Sequence, residues 1–121
     1  MRFALILALL CAPLTLSAQE TQVAPGSGAV LRGLDRVSGV VEDITLQSGA
    51  SAVFGRLTIT LTECRYPVDD PASDAFAYLT IHDAMTPQGA VFQGWLIASS
   101  PAINAMDHAR FDIWLLRCTT S

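Results

Sequence analysis

The segment "GWLIASSPAINAMDHARFDIWLLRC", Gly94 to Cys118, concentrates residue types that carry hydrolytic chemistry. A serine hydrolase needs a hydroxyl nucleophile, a base within hydrogen-bond reach and a carboxylate that orients the base. Ser99 or Ser100, His108 and Asp112 supply one of each. The residues around them favour a plainer reading. No G-x-S-x-G elbow surrounds either serine. Ser100 before Pro101 has the form of a helix N-cap, with proline at the first helical position where its missing N–H costs nothing. "PAINAMDH" is then expected to make about two helical turns, with Ile103 and Met106 on one face. His108 would close that helix, its imidazole near the last carbonyls. The expected role is structural, and a hydrolase using Ser99 or Ser100 with His108 stays as the alternative.

Other side chains have types suited to metal or ligand chemistry. His82-Asp83 and Asp107-His108, with Met85 and Met106 near them in sequence, have the donor types of a copper or zinc site. Two histidines on different elements are more often surface or satisfied core residues. Asp69, Asp70 and Asp74 lack the alternating oxygen spacing and central glycine of a calcium loop, so "DDPASD" reads as a solvated acidic turn. Neither a metal nor a cofactor is expected. Trp95, Trp114, Phe92 and Tyr78 are the larger clue. On one sheet face they would form either a core layer, the favoured reading, or an exposed platform for a ligand. Arg32, Arg36 and Arg56 are the cations that could flank it.

The elements that must position these residues are mostly strands. "AVFGRLTITLTECRY" alternates Val53, Gly55, Leu57, Ile59 and Leu61 with Phe54, Arg56, Thr58, Thr60 and Thr62, the period of a half-buried strand. Simple parity puts Cys64 on the threonine face, so either a second layer covers that face or a bulge turns the chain before Cys64. "RVSGVVEDITL" reads as a strand whose register drifts, through a bulge at Gly39. "DAFAYLTIHDA" and "AVFQGWLIAS" alternate on either side of an "MTPQG" turn and are expected to pair as a hairpin. "ARFDIWLLRC" sets Phe111, Ile113 and Leu115 opposite Asp112, Trp114, Leu116 and Cys118. The expected fold is therefore mainly β. It is a small antiparallel barrel or sandwich of five to six strands, with one short helix before the last strand.

Length and composition set the compartment. The chain has 121 residues, room for a single domain. Residues 1–18, "MRFALILALLCAPLTLSA", have the charged, apolar and small-residue order of a cleaved signal peptide. Their apolar run is shorter than the roughly 20 residues a membrane span takes, and no transmembrane segment is expected once they are removed. Residues 19–29 read as a flexible leader and 30–121 as the folded domain. That mature chain holds six arginines, no lysine and eleven carboxylates, a formal charge of −5. An acidic chain without a basic cluster has no electrostatic grip on phosphates, which argues against nucleic acid as a partner. Of three cysteines, Cys11 leaves with the signal. Cys64 and Cys118 then most simply form one disulfide in an oxidising compartment, the alternative being two buried thiols. Closing a loop of about 55 residues is worth roughly 4 kcal/mol as an upper value.

Several stretches together carry a resemblance. "LRGLDRVSG", "FGRLTITLTECRYP", "DAFAYLTI", "FQGWLIASSPAINAMDH" and "FDIWLLRC" resemble the DUF2155 family, small exported proteins of alphaproteobacteria. The likeness spans the mature domain. One departure is Ala109, where the family usually has proline. The resemblance implies export to the periplasm of a Gram-negative cell and adds no chemistry. The functional expectation is a non-catalytic periplasmic β module that binds an envelope component or a membrane-complex partner.

Overall fold

Strand β5, Leu57–Pro67, is the longest element, and its alternating apolar residues organise the rest. In the computed structural model, which describes residues 10–13 and 22–121, eight strands form two antiparallel sheets. The others are β1 (Val23–Pro25), β2 (Gly28–Asp35), β3 (Val41–Gln47), β4 (Ser51–Phe54), β6 (Phe76–Asp83), β7 (Phe92–Ile97) and β8 (Phe111–Thr119). The larger sheet runs β1-β5-β6-β7, with β4 also paired to β5; the smaller runs β3-β2-β8. Their apolar faces meet in one core. Leu57, Ile59, Leu61, Leu79 and Ile81 from the larger sheet join Leu31, Ile44, Leu46, Phe111, Ile113 and Leu115 from the smaller.

The mainly β reading holds, with eight strands instead of five to six, and the described strands close no barrel. The expected signal peptide lies almost wholly outside the described residues. The expected leader does not extend to residue 29. β1 pairs with the end of β5, and Ala29 on β2 is fully buried. The strand signal of β2 was hidden because a glycine, Gly33, and a carboxylate, Asp35, take core-side positions beside Leu31.

The expected helix at 101–108 is absent: residues 101–104 form a turn and 105–108 carry no regular structure. Ser100 contributes its backbone, donating to the Ile97 carbonyl at 3.2 Å and accepting from Ile103 N–H at 3.0 Å. Met106 is buried while Ile103 is exposed, so these two do not share a helical face. Asn104 explains the outcome. Its φ is +56°, a left-handed conformation that interrupts a right-handed helix, and its amide donates to the Trp95 carbonyl at 3.0 Å. A segment with the local signals of a helix is instead spent on covering the free edge of β7.

Two further readings change. The drifting strand around Gly39 is a hairpin turn between β2 and β3. Asp35 accepts the N–H groups of Val37 and Ser38 at 3.0 and 3.3 Å, and Gly39 takes φ +78°. The long alternation from Val53 is also two strands. Phe54 and Leu57 pair across Gly55-Arg56, with Gly55 at φ +57°, the first central position of a II′ turn. The turn puts Phe54 in the core and leaves Val53 exposed, the reverse of the parity reading.

Simple parity sets both cysteines opposite the apolar residues of their strands, and both face the core; for Cys64 the bulge is the alternative that holds. Leu61 pairs with Leu79 but Glu63 pairs with Tyr78, so Thr62 is an extra residue in β5. Leu31 pairs with Leu115 but Val30 with Arg117, so Leu116 is an extra residue in β8. Each one-residue bulge turns the following cysteine inward. Cys64 and Cys118 then lie with Cα atoms 5.7 Å apart, in a disulfide that ties one sheet to the other across 54 residues of sequence.

Candidate functional site

The hydrogen bonds of the serine, histidine and aspartate side chains decide what they can do. Ser99 Oγ donates to Asp74 Oδ2 at 2.7 Å. Asp112 lies 3.6 Å from Arg36. His108 is nearly buried, and its Nε2 is 2.8 Å from Asp83 Oδ2. Its Nδ1 accepts two backbone N–H groups, from Arg110 at 3.0 Å and Phe111 at 3.2 Å. With Nδ1 accepting, the ring proton sits on Nε2 and is donated to Asp83. Both ring nitrogens are engaged, and neither offers a lone pair to a hydroxyl. His108 is a clasp between the loop before β8 and the end of β6.

That clasp belongs to a wider set of charges packed around Phe111. Asp83 is 3% exposed and also receives Arg56 at 2.9 Å and the Met85 N–H at 2.9 Å. The hydrogen bond from His108, then the Met85 N–H, hold its carboxyl down to about 2 against the opposing effect of burial, with Arg56 adding to them. Arg110 chelates Asp35 at 2.8 and 3.0 Å. This pair holds the Asp35 carboxyl well below the usual range, burial opposing and the turn N–H groups of Val37 and Ser38 assisting. The guanidinium carbons of Arg56 and Arg110 lie 5.6 and 5.1 Å from the Phe111 ring centre. Arg36 completes this end by donating to the His108 carbonyl.

The aromatic residues are divided between the two sheets. Trp114 stands on the outer face of the smaller sheet, opposite Arg32, beside a shallow depression of about 330 Å³ that Pro101 and Leu116 also line. Phe92 pairs with Ile81 and packs against the core. Trp95 and Tyr78 pair on the outer face of the larger sheet and meet edge to face, ring centres 5.4 Å apart. Neither tryptophan is in the core; both are half-buried, on different sheets. Arg36 and Arg56 do not flank Trp95, being occupied around Phe111 as described.

What flanks Trp95 is a different set. On the outer face, Phe76 pairs with Ile97 on one side and Arg65 on the other, and Tyr78 likewise joins Trp95 to Glu63. Of these side chains Arg65, Phe76, Trp95 and Ile97, with Val23 and Pro67, line an open groove of about 680 Å³, within the size range of ligand sites. Its far wall is the loop between β5 and β6. Asp74 anchors that loop to the turn after β7 by accepting Ser99 Oγ and Ser99 N–H at 3.0 Å, and it also accepts its neighbour Ala75 N–H at 2.8 Å. Burial raises the Asp74 carboxyl, yet these bonds together leave it below its ordinary value. The acidic loop is thus not wholly solvated, since Asp74 is a half-buried staple. Arg65 lies over Trp95, its guanidinium carbon 5.3 Å from the ring centre, and holds Glu63 at 2.9 and 3.2 Å.

The sequence pattern did not mark Arg65, Phe76 and Ile97 as groove residues, nor Glu63 as the partner of Arg65. The alternation of Phe76 with Tyr78 was available; the placement of Arg65 was hidden behind the bulge at Thr62. His82 is exposed on the face opposite Asp83, and Met85 is exposed. Among the described residues, no group of three or more His, Cys, Asp or Glu side chains is placed to hold a metal ion.

The sequence profile described as "Uncharacterized protein conserved in bacteria (DUF2155)" matches residues 29–118, three quarters of the chain. The chain belongs to the DUF2155 family. An uncharacterized protein of Rickettsia prowazekii (strain Madrid E) is 26% identical over 87 residues, covering 70% of this chain and 56% of that protein. The chain therefore spans little more than half the length of that relative. No solved structure matches. The DUF2155 match starts in β2 and ends at Cys118, so it contains both cysteines and every groove residue except Val23.

Proposed function

We propose that this chain is an exported, periplasmic, non-catalytic module of sandwich-like build that binds a protein partner of the cell envelope through the Trp95 groove. The observation that carries the reading is an apolar, half-exposed groove on the outer face of a sheet whose core lies on its other side. A surface of Val, Pro, Phe, Trp and Ile is costly to leave in water and is the usual composition of an interface centre. Its walls are held by fixed elements, the Asp74–Ser99 staple on one side and paired strands beneath, so little ordering is required on binding. The Cys64–Cys118 disulfide is compatible with the oxidising compartment beyond the inner membrane.

The test is site-specific photocrosslinking in intact cells, with the photoreactive residue at Gln93, exposed beside Trp95 on the same face. A discrete protein adduct that recurs and disappears with Trp95→Ala is expected. Adducts that are unchanged by Trp95→Ala would count against the groove as the binding surface.

A further inference from the structure

The groove already holds a cation. Arg65 lies over the Trp95 ring and is gripped by Glu63, and both of these charged side chains are substantially exposed. Exposed pairs of this kind contribute little net stability and are screened by salt. An aromatic face with a carboxylate beside it binds a guanidinium or ammonium wherever that group comes from. Arg65 therefore displays the chemistry the site selects while being held weakly enough to be exchanged.

The surrounding charge points the same way. Asp74 lines the groove, and the loop it terminates carries Asp69 and Asp70, both exposed. Glu63 bridges Arg65, Asp74 lines the same groove, and the adjoining loop adds two more carboxylates, on a chain that has no lysine. Once Arg65 swings away, the groove is apolar at its floor and anionic along its rim. An incoming segment therefore meets attraction for cations and repulsion for carboxylates. The groove also crosses the strands from Val23 on β1 to Trp95 and Ile97 on β7. Three strand spacings amount to roughly 14 Å, the span of about four residues of extended chain.

Building on the groove as the binding surface, we infer that its occupant is an extended, cationic segment of the partner protein. An arginine or lysine of that segment replaces Arg65 over Trp95 and against Glu63. Arg65 is then a built-in competitor that sets a threshold on affinity, and apolar side chains flanking the cation fill the Phe76 and Ile97 floor.

The test uses the full mature domain with Trp114→Phe, which leaves Trp95 as the one indole of the two in the chain. The probes are a ten-residue peptide of alternating proline, leucine and arginine, and its counterpart with glutamate at every arginine. The arginine peptide should perturb Trp95 emission saturably and bind at least about tenfold more tightly than the glutamate peptide at low salt, the gap narrowing as salt screens the rim. Arg65→Ala should tighten the arginine peptide by roughly two- to fivefold, the scale of one exposed cation–aromatic contact. Arg117→Ala removes the same charge from the exposed surface of β8 and should leave affinity nearly unchanged. Equal binding of both peptides, binding of neither, or weaker binding in Arg65→Ala would each overturn the inference. In cells, a Trp95-dependent adduct mapped to a partner segment without lysine or arginine would overturn it too, while leaving the groove's role intact.

Discussion

Phe111 and Trp95 are both aromatic rings faced by arginines, and each of those arginines is also bridged to a carboxylate. Around Phe111 the carboxylates are Asp83 and Asp35, 3% and 8% exposed. Around Trp95 the carboxylate is Glu63, a third exposed, and the ring itself is only partly covered. The same three groups thus do different work. In the first region His108, Met85 N–H and the turn N–H groups fill the remaining valences of the buried carboxylates, and removing any one partner leaves a buried charge. In the second, water can stand in for every partner, so the contact is exchangeable. Burial of the anion separates a structural cluster from a binding surface.

The sharpest way to break this contrast is to truncate the two rings. Phe111→Ala removes a side chain that is 1% exposed, packed against Phe54 and two guanidinium groups. It should cost about 3–5 kcal/mol in urea unfolding. Trp95→Ala should cost no more than about 1 kcal/mol, as a solvent-side substitution, while abolishing the photocrosslink. A comparable loss of stability in both would erase the distinction.

Next in size is the disulfide. Replacing Cys64 and Cys118 together by alanine should cost about 2–4 kcal/mol by equilibrium unfolding. Reducing agent should destabilise the parent chain similarly and leave the double variant unchanged. Because the bond joins the two sheets, both rings depend on it, and Trp95 emission should follow the global transition.

The smallest effect is the pH response, and it belongs to the Phe111 region. The folded values of Asp83 and Asp35 are depressed, Asp83 to about 2 from an ordinary value of 3.8. A depressed carboxylate contributes stability that is fully present above its unfolded value and is lost as pH falls through the folded one. The urea midpoint should therefore hold from neutral pH down to about 4 and drop towards pH 2. Asp83→Asn should flatten that drop. An equally steep drop in the variant would place the acid sensitivity elsewhere.

The sequence made the β class, the β6–β7 hairpin and the cysteine pairing legible, because each rests on a signal local to its residues. Alternation in "FAYLTI" and "FQGWLI" survives in β6 and β7 without interruption. It failed where one residue changes the count. Thr62 and Leu116 each flip the face of everything beyond them, and Gly55-Arg56 flips Phe54 against Val53. "SSPAINAMDH" failed for another reason. Its capping residues are genuine local signals, and Asn104 in a left-handed conformation against the β7 edge overrode them.

Composition singles out the tryptophans and Tyr78 as either core or platform, with core favoured, yet which aromatic residues share a surface is beyond a one-dimensional reading. Arg36 and Arg56 belong with Phe111, and Arg65 belongs with Trp95, for reasons of register that only paired strands express. By itself the sequence determined the secondary-structure class and the chemistry on offer, since propensity and periodicity act over a few residues. Tertiary structure decided which side chains meet, because bulges, turns and sheet assignment fix faces through pairings tens of residues apart. A carboxylate's role as clasp or as rim follows from how much water that packing leaves it.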